Sequence, residues 1–516
     1  MNDSTRSILG SAGRFFSGTL LSRISGMLRD ISMAYAFGTQ PAIAAFMLAF
    51  RLSHLFRRLF GEGAFQSAFI PEFEALRHRS SQQAFHFFRD LKASLTLFLT
   101  LLIMFLSLIL GAFLFWGDLS EGNHEVVFLT LLMLPGLLFI CLYGLNAGLL
   151  QCEKNYFVSG VAPVAFNVIW IIAVMALGNM ETKSAMPWLA VGVVIACIAQ
   201  WLLTLPKTYA IVKQNLGGIG KINLFSDDLI KMIKPLSLGI LGVAATQINI
   251  AVDSLFARYA DPEGPAILWY AIRIEQLPLA LFGIALGGAV LPPLSRALKK
   301  QDWANYSRFL KYALTATFAL MIPLTAAIFI LGDTSINLIY GHGDFDSVSA
   351  LETTKCLWAY GAGLLPAAMV LILAPACYAD RNYRSPAVAS IITMLLNAGL
   401  NAIFILQFGL GAVSVAIATS ISSWINLIYL GAVLNKKIPL FSSQLIIDLG
   451  KMIAATMAAS VAAYLLREQF FEQPVLYSFS NPFLDQITSL TASGMIFALL
   501  IGGFIYRKTE TIKDRA

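Results

Sequence analysis

The segment FRLSHLFRRLFGEGAF, residues 50–65, is mostly apolar yet carries Arg51, His54, Arg57, Arg58 and Glu62. On a continuous helix Arg51, His54, Arg58 and Glu62 follow i, i+3, i+4 spacing and share one face, with Arg57 on its flank. The surroundings decide what such a face means. The chain has 516 residues, of which 58% are hydrophobic and only 13% charged, with a mean hydropathy of +0.73. A soluble chain carries about a quarter charged residues. Apolar blocks long enough to cross a hydrocarbon core, about 20 residues each, recur from end to end. They are continuously apolar rather than alternating, which selects helices over a barrel. One soluble core could not bury so many all-round apolar helices. The sequence therefore specifies an all-α polytopic membrane protein, and residues 50–65 place charge inside the membrane.

Fourteen spans are expected, near 9–37, 41–76, 90–116, 125–151, 156–179, 186–212, 227–258, 265–297, 305–331, 348–378, 385–407, 410–434, 443–466 and 486–506. The loops between them alternate in charge. One set is basic, including RHRSSQQAFHFFRDLK, the stretch from Lys207 to Lys234, SRALKKQDW, ADRNYR and NKKIP. The other is neutral or acidic, including GDLSEGNHE, GNMETK, YADPEG, YGHGDFDS and EQFFEQPVLYSFSNPFLD. The positive-inside rule then puts both termini in the cytoplasm, as an even number of spans requires. The first residues are too polar and interrupted for a cleavable signal peptide. The five cysteines, Cys141, Cys152, Cys197, Cys356 and Cys377, form no CxxC and read as packing residues. The net charge of +7 is explained by cytoplasmic loops and does not point to nucleic acid.

The chain also repeats weakly. LQCEKNYFVSGVAP (150–163) resembles CYADRNYRSPAVAS (377–390), and LFGEGAFQSAFIP (59–71) resembles LFGIALGGAVLPP (281–293), at nearly the same offset. A duplicated unit with an even number of helices keeps both copies in one orientation, as in the parallel repeats of some transporters. The expected organisation is an N-terminal lobe of six helices over 1–220, a pseudosymmetric C-terminal lobe of six over 221–440, and two further helices with a tail over 441–516.

An arginine at the middle of a span costs about 2.5–3.5 kcal/mol on insertion scales, and here several coincide. LSRISGMLRDISMAYAFG puts Arg23, Arg29 and Asp30 inside the first span, and YAIRIEQLP puts Arg273 and Glu275 before Pro278 in the eighth. Arg29 and Asp30 are neighbours, so on a helix they diverge by about 100° and are not expected to pair simply. Snorkelling to an interface, or pairing with Glu62, Asp30 or Glu275, is the plainer account of these arginines. For Arg23, Arg29, Arg57 and Arg273 together, in three spans of two lobes, the expectation is instead a hydrated cationic cavity for an anionic, phosphate-bearing cargo, since a guanidinium fork takes two oxygens and stays charged. Gly61 and Gly63 beside Glu62 would allow bending or close approach of helices. A second constellation joins Asp253 of the seventh span, Asn397 and Asn401 on one face of the eleventh, and Thr419 of the twelfth. With a backbone carbonyl these oxygens suit a hard monovalent cation; hydrogen bonding between helices is the competing account. Nothing in the sequence resembles Walker A or HExxH, and GGIGKIN is no nucleotide fingerprint. Any energy input would come from an ion gradient or the membrane potential.

The motifs SRISGMLRDISMAYAFG, LFRRLFGEGAFQSAFIPEF and AIRIEQLPLALFGIALGGAVLPPLS resemble the MurJ (MviN) family, lipid II flippases of the multidrug/oligosaccharidyl-lipid/polysaccharide exporter superfamily. The resemblance covers nearly the whole chain. It implies a transporter rather than an enzyme, placed in the bacterial cytoplasmic membrane and working by alternating access. It assigns the cavity arginines to Arg23, Arg29, Arg57 and Arg273, facing the diphosphate of undecaprenyl-linked GlcNAc–MurNAc-pentapeptide, with Asp30, Arg58, Glu62 and Glu275 in support. It assigns a sodium site to Asp253, Asn397, Asn401, Thr419 and the carbonyl of Val415, and a lipid-tail groove to the last two helices. Partners implied are lipid II, membrane lipids and cell-wall synthesis proteins; the coupling ion implied is sodium, with no organic cofactor. The sequence departs from the pattern at Ala44 and Gln276, where some members carry acids, and at Asn401, where a carboxylate of the sodium site is replaced by an amide. Two other functions fit the same composition: export of another lipid-linked oligosaccharide, or a membrane scaffold for cell-wall enzymes. A cationic-drug exporter fits poorly, because its cavity would be acidic and aromatic.

Overall fold

The computed structural model describes residues 5–61, 64–216, 221–280, 284–440, 443–471, 487–488, 490–499 and 501–502. Every expected span is met there by helix, and no strand occurs among the described residues. Two compact units divide at Arg258, Met1–Arg258 and Tyr259–Ala516. The first holds α1 (Thr5–Phe37), α2 (Pro41–Ser53), α3 (Arg57–Phe60), α4 (Ala64–Arg79), α5 (Ser81–Trp116), α6 (Glu121–Met133), α7 (Gly136–Cys152), α8 (Tyr156–Leu177), α9 (Thr182–Asn215) and nearly all of α10 (Asp227–Ala260). The second holds α11 (Gly264–Pro278), α12 (Ile284–Lys299), α13 (Trp303–Tyr340), α14 (Ser347–Ala379), α15 (Arg384–Leu406), α16 (Val413–Asn435), α17 (Ser443–Phe471) and the short apolar helix Leu490–Leu499.

Among the described residues seven helices, α5, α8, α9 and α13–α16, are long and apolar enough to cross a membrane, and α6 with α7 makes an eighth if that pair, bent by 45°, is one span. Pro135 sits at the bend, where it cannot donate the helical hydrogen bond. The chain is therefore a multi-pass membrane protein, while length and composition leave the number fourteen open. The other expected spans are broken, charged or only partly described. The second is the clearest case. It is three helices, α2, α3 and α4, separated by a turn at His54–Phe56 and another at Gly61. The expected single charged face is broken over Arg51, His54 and Arg58, because Arg51 lies in the last turn of α2, His54 in the turn after it, and Arg58 in α3. Glu62 lies outside the described residues.

In the first unit the core is built from α1 on α8, α7 and α8 on α9, and α2 on α6. Phe65, Phe69 and Phe73 of α4 interleave with Phe85, Phe87 and Phe88 of α5, all buried. In the second, α14 packs on both α13 and α16, and α15 on α16. Two long helices, α13 and α14, start on acidic caps. Asp302 accepts from the Asn305 backbone N–H at 2.9 Å and Asp346 from that of Ser349 at 2.8 Å. Those bonds favour the ionised form and hold both carboxyls below the usual carboxylate range.

The two related segments EKNY and DRNY fold into the same turn. Lys154 (φ 58°) and Arg381 (φ 56°) are both left-handed. The backbone bonds match pair for pair: Asn155 N–H to Leu150 O at 2.8 Å, and Asn382 N–H to Cys377 O at 2.9 Å. Each turn closes one helix by satisfying its last carbonyls and starts the next.

Candidate substrate site

Arg29 is sealed in the seam between α1 and α8. Its Nε and Nη2 donate to one oxygen of Asp30 at 3.1 and 2.8 Å, and its Nη1 donates to Asn167 Oδ1 at 3.1 Å. The guanidinium carbon stands 4.8 Å from the centre of the Trp170 ring. This corrects the expectation that neighbours on a helix would not pair: the arginine side chain is long enough to fold back along α1 to the next residue. Arg29 is 7% exposed and Asp30 2%. Asn167 completes the network by donating to Ser25 Oγ at 2.9 Å and to Ser22 O at 3.2 Å. The helices can come this close because small residues line the seam. A Cβ on Gly18 would stand 3.1 Å from the carbonyl carbon of Gly160. Trp170 is the hub on the far side, with Phe46, Phe50 and Phe166 edge-on and its Nε1 3.1 Å from Met33 Sδ.

The broken second span spreads its charges. Arg51 donates to Ser254 Oγ of α10 at 2.6 Å. His54 is buried in the turn between Ser53 Oγ at 2.9 Å, the Phe50 carbonyl at 3.1 Å and Cys197 Sγ at 3.7 Å. Arg57 is half-buried at the start of α3, Arg58 is exposed, and Arg23 is exposed on α1. The first unit thus pairs Arg29 with Asp30 on α1, which also carries Arg23, while Arg57 and Arg58 stand on α3. In the second unit Arg273 is half-buried on α11, its guanidinium 4.5 Å from the centre of the Trp269 ring one turn earlier. Glu275 lies two residues on, half-buried as well. Each unit therefore carries a guanidinium laid on a tryptophan face, an arrangement that suits a weakly hydrated, permanent cation.

The oxygen-bearing residues lie on α10, α15 and α16. Asp253 of α10 is buried and accepts from Asn249 Nδ2 at 3.1 Å. Asn397 and Asn401 are buried on α15, and on the adjoining α16 the Thr419 hydroxyl donates to the Val415 carbonyl at 2.9 Å. No group of three or more His, Cys, Asp or Glu able to hold a metal occurs among the described residues. None of the five cysteines forms a disulfide. Carboxylate, amide and carbonyl oxygens without sulfur or imidazole fit a hard monovalent cation, and a carbonyl bonded once still has a lone pair.

Asn167, Trp170 and Trp269 escaped the reading of the sequence. Trp269 was findable, since it lies four residues before Arg273 and so shares its face. Asn167, in VAFNVIW, was a lone polar residue in an apolar block. Trp170 gave no signal, because its contact with Arg29 is made only when α8 packs on α1.

Residues 33–482 match the family described as lipid II flippase MurJ. A curated protein of Chlamydia pneumoniae described as "Probable lipid II flippase MurJ" is 32% identical over 505 residues, covering 96% of this chain and 90% of that protein. A solved structure of lipid II flippase MurJ in an inward closed conformation superposes with a TM-score of 0.76 at 25% identity, covering 96% of this chain and 99% of its own. A MATE transporter structure in complex with MaL6 superposes at 0.57 and 15% identity over 84% of this chain and 96% of its own, a likeness of fold alone. Near-complete coverage by a family match, a curated relative and a solved structure places this chain in the lipid II flippase MurJ family.

Proposed function

We propose that this protein carries lipid II from the cytoplasmic to the outer leaflet of the bacterial cytoplasmic membrane by alternating access, and that it is not an enzyme. The observation that carries the reading, beyond family membership, is the guanidinium on a tryptophan face in an apolar helix of each unit. Arg23, Arg29, Arg57 and Arg273 neutralise the diphosphate in a hydrated path, with Asp30, Arg58, Glu62 and Glu275 setting the charge around them. The machine consists of two six-helix lobes over 1–220 and 221–440, with residues 441–516 supplying a groove for the lipid tail; both termini are cytoplasmic. A scaffold for cell-wall enzymes would have no need of cations whose insertion costs about 2.5–3.5 kcal/mol each.

Complementation tests this. In a bacterium depleted of its own lipid II flippase, the wild-type chain restores growth, while Arg23→Ala and Arg273→Ala at matched membrane levels are expected to lose most of that rescue. No rescue by a well-inserted wild type would point to another lipid-linked cargo. Full rescue by both variants would favour the scaffold.

Asp253, Asn397, Asn401, Thr419 and the Val415 carbonyl would hold sodium, which supplies a charge that moves down its gradient. Binding to the folded protein alone stabilises it by about 2.7 kcal/mol at a hundredfold excess over Kd. The melting temperature of the purified protein is therefore expected to rise in sodium over choline chloride at equal ionic strength, and to lose that rise in Asn397→Ala. Equal melting in both salts would remove sodium from the mechanism.

A further inference from the structure

One end of the first unit, where α2, α6 and α9 begin and α10 finishes, encloses a cavity of about 390 Å³ lined by Gln40, Pro41, Glu121, Glu125, Thr182 and Arg258 among others. The helix ends around it are tied by polar contacts. Arg258, in the last turn of α10, donates from Nη1 to the Pro41 carbonyl at 3.2 Å, fastening α10 to α2. The same guanidinium lies across Gly122 of α6: a Cβ there would overlap its Nη2 and stand 3.5 Å from its Cζ. Lys183 at the start of α9 pairs with Glu121 at the start of α6. Glu125, one turn into α6, has an enclosed Oε1 without a hydrogen-bond partner, and Arg258 and Lys183 act on its carboxylate electrostatically. Arg258 is also the last residue of the first unit, and the chain enters the second at Tyr259.

We propose that Arg258 is a releasable clasp, fastening the end of α10 to α2 and α6 and opening the cavity between them when it lets go. The contacts are of the right strength for that. They include a charged hydrogen bond to a carbonyl and charge contacts at a partly open rim. Gly122 is the partner that makes the clasp possible, since any side chain there would push the guanidinium off α6. The inference rests on the flippase reading only for the motion it controls.

The test needs no cargo. Thr182 lines the cavity and is 7% exposed. Thr182→Cys is introduced into the full-length protein, purified in detergent, and its maleimide labelling rate is followed by mass spectrometry at that residue. Adding Arg258→Ala or Gly122→Ala is expected to speed labelling about fivefold or more, the factor that losing a net hydrogen bond of about 1 kcal/mol gives. Adding Lys154→Ala, at the opposite end of α8, should change nothing. Equal rates in all four proteins overturn the clasp. Should Arg258→Ala fail to give monodisperse protein, Gly122→Ala decides, because it keeps the charge and removes only its seat. Faster labelling in a protein whose wild type fails to rescue flippase depletion leaves the clasp standing and sinks the cargo.

Discussion

Gly144→Ala is expected to displace residues 57–61 and lower the melting temperature by roughly 6–12 °C, the equivalent of about 3 kcal/mol for a unit of this size. Gly144 on α7 faces Gly61, where α3 ends. A Cβ on Gly144 would run into the Gly61 carbonyl, 2.5 Å from its carbon and 2.8 Å from its Cα. Overpacking costs about 1–3 kcal/mol when side chains can give way. Here the opposing atoms are backbone. They cannot retreat without straining the 2.8 Å bond from Gly61 N–H to the Arg57 carbonyl. The crossing is tight from the other side as well, since a Cβ on Gly61 would meet Arg57 O at 3.0 Å and Cys141 Cα at 3.1 Å. The same crossing sets where Arg57 and Arg58 stand, so rescue of a flippase-depleted strain should fall with stability. Gly136→Ala is the control. It meets Cys197 Sγ at 3.2 Å, a side-chain atom that can turn aside, and should cost much less. Melting of the purified protein in detergent measures both. Equal, small shifts for the two variants would mean that the α3–α7 crossing is softer than its geometry.

The helices were legible because a membrane leaves the backbone no alternative wherever the sequence is continuously apolar. The turn shared by Glu153–Tyr156 and Asp380–Tyr383 was legible for a different reason: four residues carry their own hydrogen-bond pattern. The break in the second span was not legible. FRLSHLFRRLFGEG has the spacing of a continuous helix, and the second of its two interruptions falls where Gly61 approaches Gly144, some eighty residues away in sequence. The arginines were legible as costly and therefore meaningful, but their partners were not. Sequence adjacency argued against an Arg29–Asp30 pair, and only the packing of α8 on α1 brings Asn167 and Trp170 to the same guanidinium. Arg273 and Trp269 are the counter-example, a contact made within one helix and so readable from a four-residue spacing. Glu275, by contrast, was expected as support, and its place on α11 is fixed while its role remains part of the proposal.

The Arg29–Asp30 pair is where stability and transport can be separated. Arg29→Met alone strands a carboxylate whose side chain is 3% exposed. Breaking a buried pair in this way costs about 3–5 kcal/mol, because the remaining charge loses its counter-charge away from water. Asp30→Asn alone strands the guanidinium, leaving it the Trp170 face and Asn167, and should cost a similar or somewhat smaller amount. The double variant removes both charges. Replacing a buried pair by neutral groups of similar volume is often close to neutral, so its stability should return to within about 1 kcal/mol of wild type, a strongly non-additive result. The bond to Asn167 is then the main loss. If Arg29 served only to hold α1 on α8, this stable double variant would rescue flippase depletion. If its guanidinium also meets the phosphates of the cargo, the variant folds and fails. We expect the second outcome, because a diphosphate leaving water needs permanent cations along its path and no neutral side chain replaces one. Normal melting with full rescue would retire Arg29 from the substrate site and leave the task to Arg23, Arg57 and Arg273.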